Sequence, residues 1–240
     1  MDVAGLDVAL THAVNSFARA SSRFDRFVVL LTSNLIKLTP MVMALWGLWF
    51  RKPQGAPVSE RPFEPWPAAR VAVLEAWSAA FVALVLSRMV QNFGPARPRP
   101  MHDSSLGFVL PYGVSGEALQ DWSSFPSDHA ALAFALGVAV LARFRGTGWM
   151  LLAWALIVVS IPRVYLGLHY PLDTAAGALI GALAAALVFA ARRPLKPAWR
   201  FVFWVEARHP SAFYAFAFLV SFEMATMFNA LRRLPSLWPW

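Results

Sequence analysis

The sequence of 240 residues contains no cysteine, and charged residues make up only 14% of it. Without cysteine there are no disulfides, thiolate zinc sites, cysteine-ligated iron–sulfur clusters or cysteine nucleophiles. Hydrophobic residues make up 58%, with 19 Phe and 11 Trp. This composition is typical of a multi-span membrane protein and excludes intrinsic disorder. The net charge of +8 is then better explained by basic cytoplasmic loops than by nucleic acid binding.

Apolar runs of about 17–25 residues, long enough to cross the hydrocarbon core, predict an all-α protein with six transmembrane helices. The spans are expected near residues 27–50, 71–92, 127–143, 149–166, 171–191 and 210–231. Before them, residues 1–22 are expected to form an interfacial amphipathic helix, with Leu6 on its apolar face and Asp7 on its polar face. The whole chain, residues 1–240, is interpreted as a single integral-membrane domain.

The distribution of Lys and Arg predicts which side of the membrane each loop faces. Loops 51–70, 144–148 and 192–209 hold more of these residues than the opposite side does, once the motif arginines are set aside. The positive-inside rule therefore predicts that both termini and the loops 93–125 and 164–170 lie outside the cytoplasm. The protein is expected in the plasma membrane with its site facing the periplasm or exterior.

Three polar clusters fall on this predicted outer side, where charged groups in an apolar chain need an explanation. The first contains Arg97 and Arg99, in the sequence Arg-Pro-Arg-Pro after the second span. The second is Pro-Ser-Asp-His, which ends at His129 near the start of the third span. The third runs from Arg163 to His169 and Asp173, at the junction of the fourth and fifth spans. The topology predicts that all three lie at one membrane face.

The residue types in these clusters match the needs of phosphoryl transfer. His169 and Asp173 are four residues apart, so on a helix the carboxylate can orient the ring, whose other nitrogen is then a nucleophile or base. A helix N-terminus attracts phosphate, Ser127 can add a hydroxyl donor, and guanidinium groups clamp phosphate oxygens. A second histidine can protonate a leaving group. Taken singly, these features are at least as typical of helix caps, a satisfied His–Asp pair and headgroup anchors.

Together the clusters resemble the signature of the membrane branch of the type 2 phosphatidic acid phosphatases, which share a helical core with vanadium haloperoxidases. That signature is Lys, six residues, Arg-Pro; then Pro-Ser-Gly-His; then Ser-Arg, five residues, His, three residues, Asp. Arg99, followed by proline, ends the first motif, and residues 126–129 match the second. The third motif is kept, with both spacings, by Arg163, His169 and Asp173.

The resemblance, which covers residues 5–231, implies a division of roles. His169 would be the nucleophile that forms a phosphohistidine, Asp173 would orient it, and His129 would be the general acid. The phosphate would be held without a metal or cofactor by Arg99, Arg163 and the turn at Ser127. We expect Arg97 and Asp128 to take part in the same phosphate-binding site.

Three residues depart from the family pattern. Asp128 replaces glycine, a variant that resembles polyprenyl-diphosphate phosphatases, and Pro162 replaces the serine of the third motif. Asn92 occupies the position of the motif lysine, seven residues before Arg99. The lost charge should weaken phosphate binding unless another group replaces it.

Arg88 lies four residues before Asn92, so on a helix the two share a face about one turn apart. An arginine inside an apolar span needs a reason to be there, and its long stem can carry the guanidinium toward the interface. We predict that Arg88 supplies the missing phosphate-binding charge, with Asn92 or Gln91 steering it by hydrogen bonds. The alternative is a structural ion pair with a carboxylate such as Glu223.

The fifth span carries small residues at helical spacing, with Gly177 and Gly181 four positions apart. Such a stripe lets helices approach closely in lipid, where burial of apolar surface gives little association energy. We expect it to pack within the bundle, with a homodimer seam as the alternative.

The sequence thus predicts a membrane lipid phosphatase that removes a terminal phosphate at the outer face. Undecaprenyl diphosphate or a similar isoprenoid carrier is the first choice of substrate, because of the resemblance at Asp128 and the outward-facing site. Phosphatidic acid, phosphatidylglycerol phosphate and lipid A phosphate are alternatives. Two non-enzymatic functions also stay open: a transporter of anionic lipids and an inactive scaffold.

Overall fold

The computed structural model describes residues 2–51, 67–117, 119 and 122–228, and this part of the chain forms helices joined by turns, without strands. The helices are α1 (Val3–Asn15), α2 (Ser22–Leu31), α3 (Asn34–Lys37), α4 (Thr39–Trp49), α5 (Ala68–Phe93), α6 (Asp128–Leu141), α7 (Arg145–Trp154), α8 (Ile161–Tyr165), α9 (Pro171–Ala190), α10 (Arg192–Arg208) and α11 (Pro210–Ala225). A π-helical segment, Ala155–Ser160, joins α7 to α8. The all-α fold class is confirmed.

In the described part of the chain, three helices are long and apolar enough to cross a membrane: α5, the continuous α7–α8 helix and α9. They correspond to the second, fourth and fifth expected spans. The third expected span, 127–143, is the 14-residue helix α6. At 1.5 Å per residue it is about 21 Å long, which is shorter than the hydrocarbon core. The sixth, 210–231, is the helix α11, and residues 229–231 lie outside the described residues.

The first expected span, 27–50, is wrong as a single helix, because it is divided among α2, α3 and α4. Pro40 lies in the first turn of α4, where the N–H that proline lacks would have no helical partner. Proline therefore favours a new helix start at this point. The carbonyl of Lys37 accepts a hydrogen bond from Trp154 Nε1 at 2.9 Å, which fixes α3 against α7.

Helix α6 forms the centre of the bundle and packs against α5, α7 and α9. A Cβ added at Gly177 would lie 2.4 Å from the carbonyl oxygen of Ser127, and one added at Gly181 would lie 2.4 Å from that of Ala131. The small-residue stripe of α9 is therefore required for its contact with α6, as expected for packing within the bundle. Because α6 covers it, the stripe gives no support to a homodimer.

Helix α1 turns its polar face toward the protein. Asp7, Thr11 and Asn15 are buried, whereas Leu6 and Leu10 are exposed. The amphipathic pattern therefore has its polar side engaged in contacts with the bundle and its apolar side free. This arrangement fits the expected position in the membrane interface, which stays a prediction.

Candidate active site

The site lies where the N-termini of α6 and α9 approach each other beside the C-terminus of α8. Ser127 caps α6, because its Oγ accepts a hydrogen bond from the Ala130 N–H at 3.5 Å. The Ser127 N–H donates to the backbone carbonyl of Asp173 in α9 at 3.0 Å. Two helix N-termini thus point their partial positive charge into the same region, which favours binding of an anion.

The turn between α8 and α9 reverses the direction of the chain, so that Arg163 and His169 of the third motif lie close together. Gly167 has a φ of +70°, and a Cβ there would lie 2.6 Å from the Phe108 ring. Only glycine fits this position without strain. The Leu168 N–H then donates to the Arg163 carbonyl at 2.9 Å, which brings His169 back toward the Arg163 side chain.

His169 is buried, with 1% of its surface exposed, and both of its ring nitrogens have partners. Nδ1 lies 2.7 Å from the backbone carbonyl of Ser124, which can only accept, so we assign the proton to Nδ1. Nε2 lies 3.1 Å from Nη2 of Arg163 and accepts its hydrogen bond. Burial, followed by the Arg163 charge, lowers the pKa of His169 to about 4. The imidazole is therefore neutral at pH 7, with its Nε2 lone pair facing Arg163.

Asp173 is close to His169 but makes its hydrogen bonds elsewhere. Its Oδ2 lies 3.7 Å from His169 Nδ1 and accepts the Tyr170 N–H at 2.8 Å. The other oxygen accepts from Arg97 at 2.6 Å. The carbonyl of Ser124, which carries no signal in the sequence, is thus the direct hydrogen-bond partner of His169. The orienting role of Asp173 stays a prediction that rests on its charge and proximity.

Arg97 joins α1 to the site through two carboxylates. Its guanidinium lies 2.7 Å from Asp7 and 2.6 Å from Asp173, and it stacks over the Tyr170 ring at 3.7 Å. Burial opposes the charge of Arg97, but the hydrogen bond with Asp7 and the nearby Asp173 charge leave its pKa raised. A phosphate would have to compete with both carboxylates for this arginine. The sequence placed Asp7 only on the polar face of α1 and gave no sign of this contact.

Arg99 is buried, and its guanidinium donates hydrogen bonds to backbone carbonyls. Its Nη1 donates to the carbonyl of Leu168 at 2.5 Å, next to His169. Two weaker hydrogen bonds, each 3.3 Å long, go to the carbonyls of Leu119 and Ser123. Burial lowers the pKa of Arg99, although nearby carboxylates oppose this effect. The arginine therefore positions the loop around His169, and a direct phosphate contact by Arg99 stays a prediction.

His129 is held by its neighbour Asp128. The Asp128 Oδ1 lies 2.8 Å from His129 Nδ1, so Nδ1 donates to the carboxylate and Nε2 is left for chemistry. The Asp128 Oδ2 accepts from Arg88 at 2.5 Å. Both carboxylate oxygens of Asp128 are thus engaged, and a carboxylate repels phosphate, so this geometry gives no support to the expected phosphate contact of Asp128, which stays a prediction. The hydrogen bond from Nδ1 to Asp128 fixes the orientation of the His129 ring.

Arg88 has the carboxylate partner that was expected as the alternative, but the partner is Asp128 and not Glu223. Its other hydrogen bond goes to Gln91 Oε1 at 2.9 Å, as expected for a steering residue. Asn92, at the position of the motif lysine, is exposed. A direct phosphate contact by Arg88 would therefore require its ion pair with Asp128 to open or to be shared.

Arg163 differs from the other motif arginines in having a donor left over. It is 4% exposed, and its Nε is buried without a hydrogen-bond partner in the described part of the chain. Buried guanidinium donors are normally paired, since an unpaired one costs the desolvation energy of the group. The vacant donor beside the His169 lone pair is what a bound phosphate oxygen would satisfy.

The fold and the site define a helical protein with a neutral histidine and an unsatisfied arginine between two helix N-termini. The model of the PAP2 superfamily matches residues 74–197, which is more than half of the chain. The chain therefore belongs to the PAP2 superfamily. The resemblance drawn from the three motifs is confirmed at the level of the family.

Several proteins of known name are similar to this chain. The putative undecaprenyl-diphosphatase YbjG of Escherichia coli is 28% identical over 192 residues, which cover 78% of this chain and 84% of that protein. The bacitracin transport permease protein BcrC of Bacillus licheniformis is 49% identical over 67 residues, 28% of this chain and 32% of that protein. The lipid A 4'-phosphatase of Bacteroides thetaiotaomicron is 43% identical over 88 residues, 35% and 38% of the two chains. The last two matches thus span about a third of each relative's length.

A solved structure supports the fold independently. The crystal structure of Aquifex aeolicus LpxE matches with a TM-score of 0.51 and 24% identity, and it covers 77% of this chain and 95% of that one. At this identity the likeness shows the shared fold alone.

Proposed function

We propose that this protein is a lipid phosphatase of the PAP2 type, which hydrolyses the terminal phosphate of a lipid phosphate or diphosphate. The observation that carries the proposal is the contact between His169 Nε2 and Arg163 at 3.1 Å. It combines a neutral nucleophile with an arginine whose Nε lacks a partner in the described structure. The relatives named as undecaprenyl-diphosphatase and lipid A phosphatase support the same class.

The proposed reaction has two steps. His169 Nε2 attacks the terminal phosphorus, the bond from phosphorus to the bridging oxygen breaks, and its electron pair leaves on that oxygen. Where the leaving oxygen is an alkoxide, His129 acts in its doubly protonated form, with Nδ1 held by Asp128, and gives it the proton on Nε2; a leaving phosphate needs no proton. Water then attacks the phosphorus, the bond from phosphorus to His169 Nε2 breaks, and its electron pair returns to Nε2. The unprotonated Nε2 of His129 takes a proton from the attacking water as inorganic phosphate is released, and after a diphosphate turnover this proton passes to solvent. Arg163 and the α6 N-terminus bind the phosphoryl oxygens throughout.

Undecaprenyl diphosphate, or a similar isoprenoid diphosphate, is our first choice of substrate. The relative that covers 78% of the chain is named for undecaprenyl diphosphate, and this supports the choice. Lipid A phosphate has the support of a shorter match, and phosphatidic acid and phosphatidylglycerol phosphate are further members of the same test panel.

We propose six membrane crossings with both termini and the site outside the cytoplasm. Three candidate spans and the two shorter apolar helices α6 and α11 support this arrangement, and α2–α4 would form the remaining crossing as a broken helix. Protease added outside spheroplasts should remove tags from both termini. Protection of both tags would place the site in the cytoplasm.

The deciding experiment measures phosphate release by the purified protein from a panel of lipid phosphates in EDTA. Release in EDTA, together with an acid-labile phosphoenzyme that is lost in the His169→Ala variant, is the expected result. Binding without release would instead favour a transporter, and neither binding nor release would favour an inactive scaffold. Release that EDTA abolishes would contradict the metal-free mechanism.

A further inference from the structure

A buried lysine that belongs to none of the three motifs lies beside this site. Lys37, the last residue of α3, is 4% exposed. Its ammonium group has no hydrogen-bond or ion-pair partner within the described ranges of the chain. Lysine is almost never buried without a partner, because an uncompensated charge is expensive to desolvate. The position therefore calls for an anion.

The surroundings of Lys37 indicate where that anion would bind. Lys37 is close enough to Arg163, Asp128 and His129 for their charges to interact. Its backbone is fixed by Trp154, which lies in the same continuous helix as Arg163. Lys37 is thus buried within the group of charges formed by Arg163, Asp128 and His129, the residue proposed to protonate the leaving group.

The cations around the site are not equally free to bind a ligand. Arg88 and Arg97 already pair with carboxylates, and Arg99 holds three backbone carbonyls. Arg163 retains an unpartnered Nε among the described residues. Arg163 and Lys37 form no ion pair with a carboxylate among the described residues, so their like charges repel each other. An anion between them would offset this repulsion and would also accept their free hydrogen bonds.

We propose that Lys37 is a phosphate-binding residue that favours lipid diphosphates by contacting the phosphate that stays with the leaving lipid. The proposal rests on the proposed function and deepens it. Arg163 would bind the terminal phosphate beside His169, and Lys37 would bind the inner phosphate on the His129 side. Lys37 would thereby replace the charge that Asn92 removes from the first motif.

The chemistry of the leaving group explains why this contact would distinguish substrates. In a diphosphate, the electron pair of the breaking bond stays on the bridging oxygen, which becomes a terminal oxygen of the leaving lipid monophosphate. An ammonium group stabilises this charge without proton transfer. In a lipid monophosphate, the same bond leaves an alkoxide, which needs the proton from His129. Lys37 therefore matters most for diphosphates.

The test compares Lys37→Met and Lys37→Arg on farnesyl diphosphate and farnesyl monophosphate. Lys37→Met should lower kcat/KM for the diphosphate by about 100-fold, as loss of one charged transition-state contact typically does. Its effect on the monophosphate should stay below about 10-fold, and Lys37→Arg should recover part of the loss, because it keeps the charge. The exposed Arg26 on α2 offers a matched control, and Arg26→Gln should change neither substrate.

Binding of an inert probe separates this inference from the proposed function. Methylenediphosphonate has a P–C–P bridge that cannot be hydrolysed, and inorganic phosphate is the comparison. The wild-type protein should bind the diphosphonate more tightly, and Lys37→Met should remove that advantage. Equal losses on both substrates, an unchanged Lys37→Met protein, or no preference for the diphosphonate would overturn the inference. If no lipid is hydrolysed but the preference depends on Lys37, the hydrolytic function fails and the binding site stands.

Discussion

The two ends of the helix bundle both bury charge, but they leave opposite balances. At the end away from the site, the carboxylate of Glu75 in α5 accepts hydrogen bonds from Arg143 and Arg192 at 2.6–3.2 Å. At the site end, Arg163 keeps an unpartnered Nε, and Lys37 has no acceptor within the described residues. At the first end the buried charges are paired with one another, whereas at the site end cationic donors are left that an anion could satisfy.

This difference shows that the hydrogen-bond and ion-pair partners of buried basic residues identify a functional site better than the number of basic residues does. A buried cation held by a carboxylate is a structural tie, whereas a buried cation with a vacant donor is poised for a ligand. By this criterion Arg97 and Arg88 belong with the ties, although they lie among the site residues. By the same criterion, Arg163 and Lys37 are proposed to bind the ligand. The following experiments test this division.

The largest effect is expected at the nucleophile. His169→Ala should lower turnover by at least about 1000-fold, because no phosphohistidine can form. Phosphate release from the preferred lipid, normalised to folded protein, is the measurement. His12 is exposed on α1 and serves as the matched control, since His12→Ala should leave turnover unchanged. Near-normal turnover in His169→Ala would exclude the covalent mechanism.

The second effect concerns the unsatisfied arginine. Arg163→Met should lower kcat/KM by about 100–1000-fold, because it removes a charged donor next to the transferred phosphoryl group. Arg163→Lys keeps the charge without the fork of donors and should recover only part of the loss. Equal activity of the methionine and lysine variants would show that the charge of Arg163 does not act on the phosphate.

The pH dependence follows from the buried imidazole. Because the pKa of His169 is lowered to about 4, the attacking form is fully present above about pH 5. We expect kcat/KM to fall below pH 4 by about tenfold per pH unit. Arg163 helps to lower this pKa, so Arg163→Met should move the acid limb to higher pH. Thermal unfolding at each pH is the control, and an acid limb unmoved in Arg163→Met would contradict the assignment.

A smaller effect is expected where an arginine acts through a carboxylate. Arg88→Gln should lower turnover by about tenfold, because it removes the charge that fixes Asp128 and, through it, His129. Asp128→Asn should cause a similar loss. Adding Asn92→Lys to Arg88→Gln should not restore activity. Restoration by that lysine would instead show that Arg88 binds phosphate directly, as the sequence suggested.

The sequence was sufficient for the parts of the molecule that depend on spacing. The resemblance of the third motif placed Arg163 and His169 in one site, and helical periodicity predicted the polar face of α1 and the packing of Gly177. Each of these features repeats along the chain or keeps a fixed distance within one segment. Such local patterns are visible in a single sequence.

Contacts between distant segments were not predictable in the same way. The carbonyl of Ser124 beside His169 is backbone and leaves no residue signature. Asp7 and Lys37 reach the site from the N-terminal region, because α1 folds back and because the chain breaks before Pro40. Asp7 looked like an ordinary polar residue of α1, and Lys37 belongs to none of the three motifs. The division of the first expected span had the largest consequence for the site, because it determines the position of Lys37 at the end of α3.

The smallest effect on catalysis is expected at the end of the bundle that holds Glu75. Glu75 is fully buried and holds two arginines, so Glu75→Gln would leave positive charge without its counter-charge. Breaking a buried ion pair by removing one partner destabilises a protein by about 3–5 kcal/mol. We expect a clear fall in thermal stability, measured by tryptophan fluorescence in detergent, while turnover per folded molecule changes by less than about threefold because no transition-state contact is lost. A triple change to Glu75→Gln, Arg143→Met and Arg192→Met should recover part of the stability, since apolar replacement of a buried charge cluster is often tolerated. If Glu75→Gln instead lowered turnover as much as Arg163→Met while the protein stayed folded, the two ends would be coupled, and vacant donors would no longer distinguish a site from a structural tie.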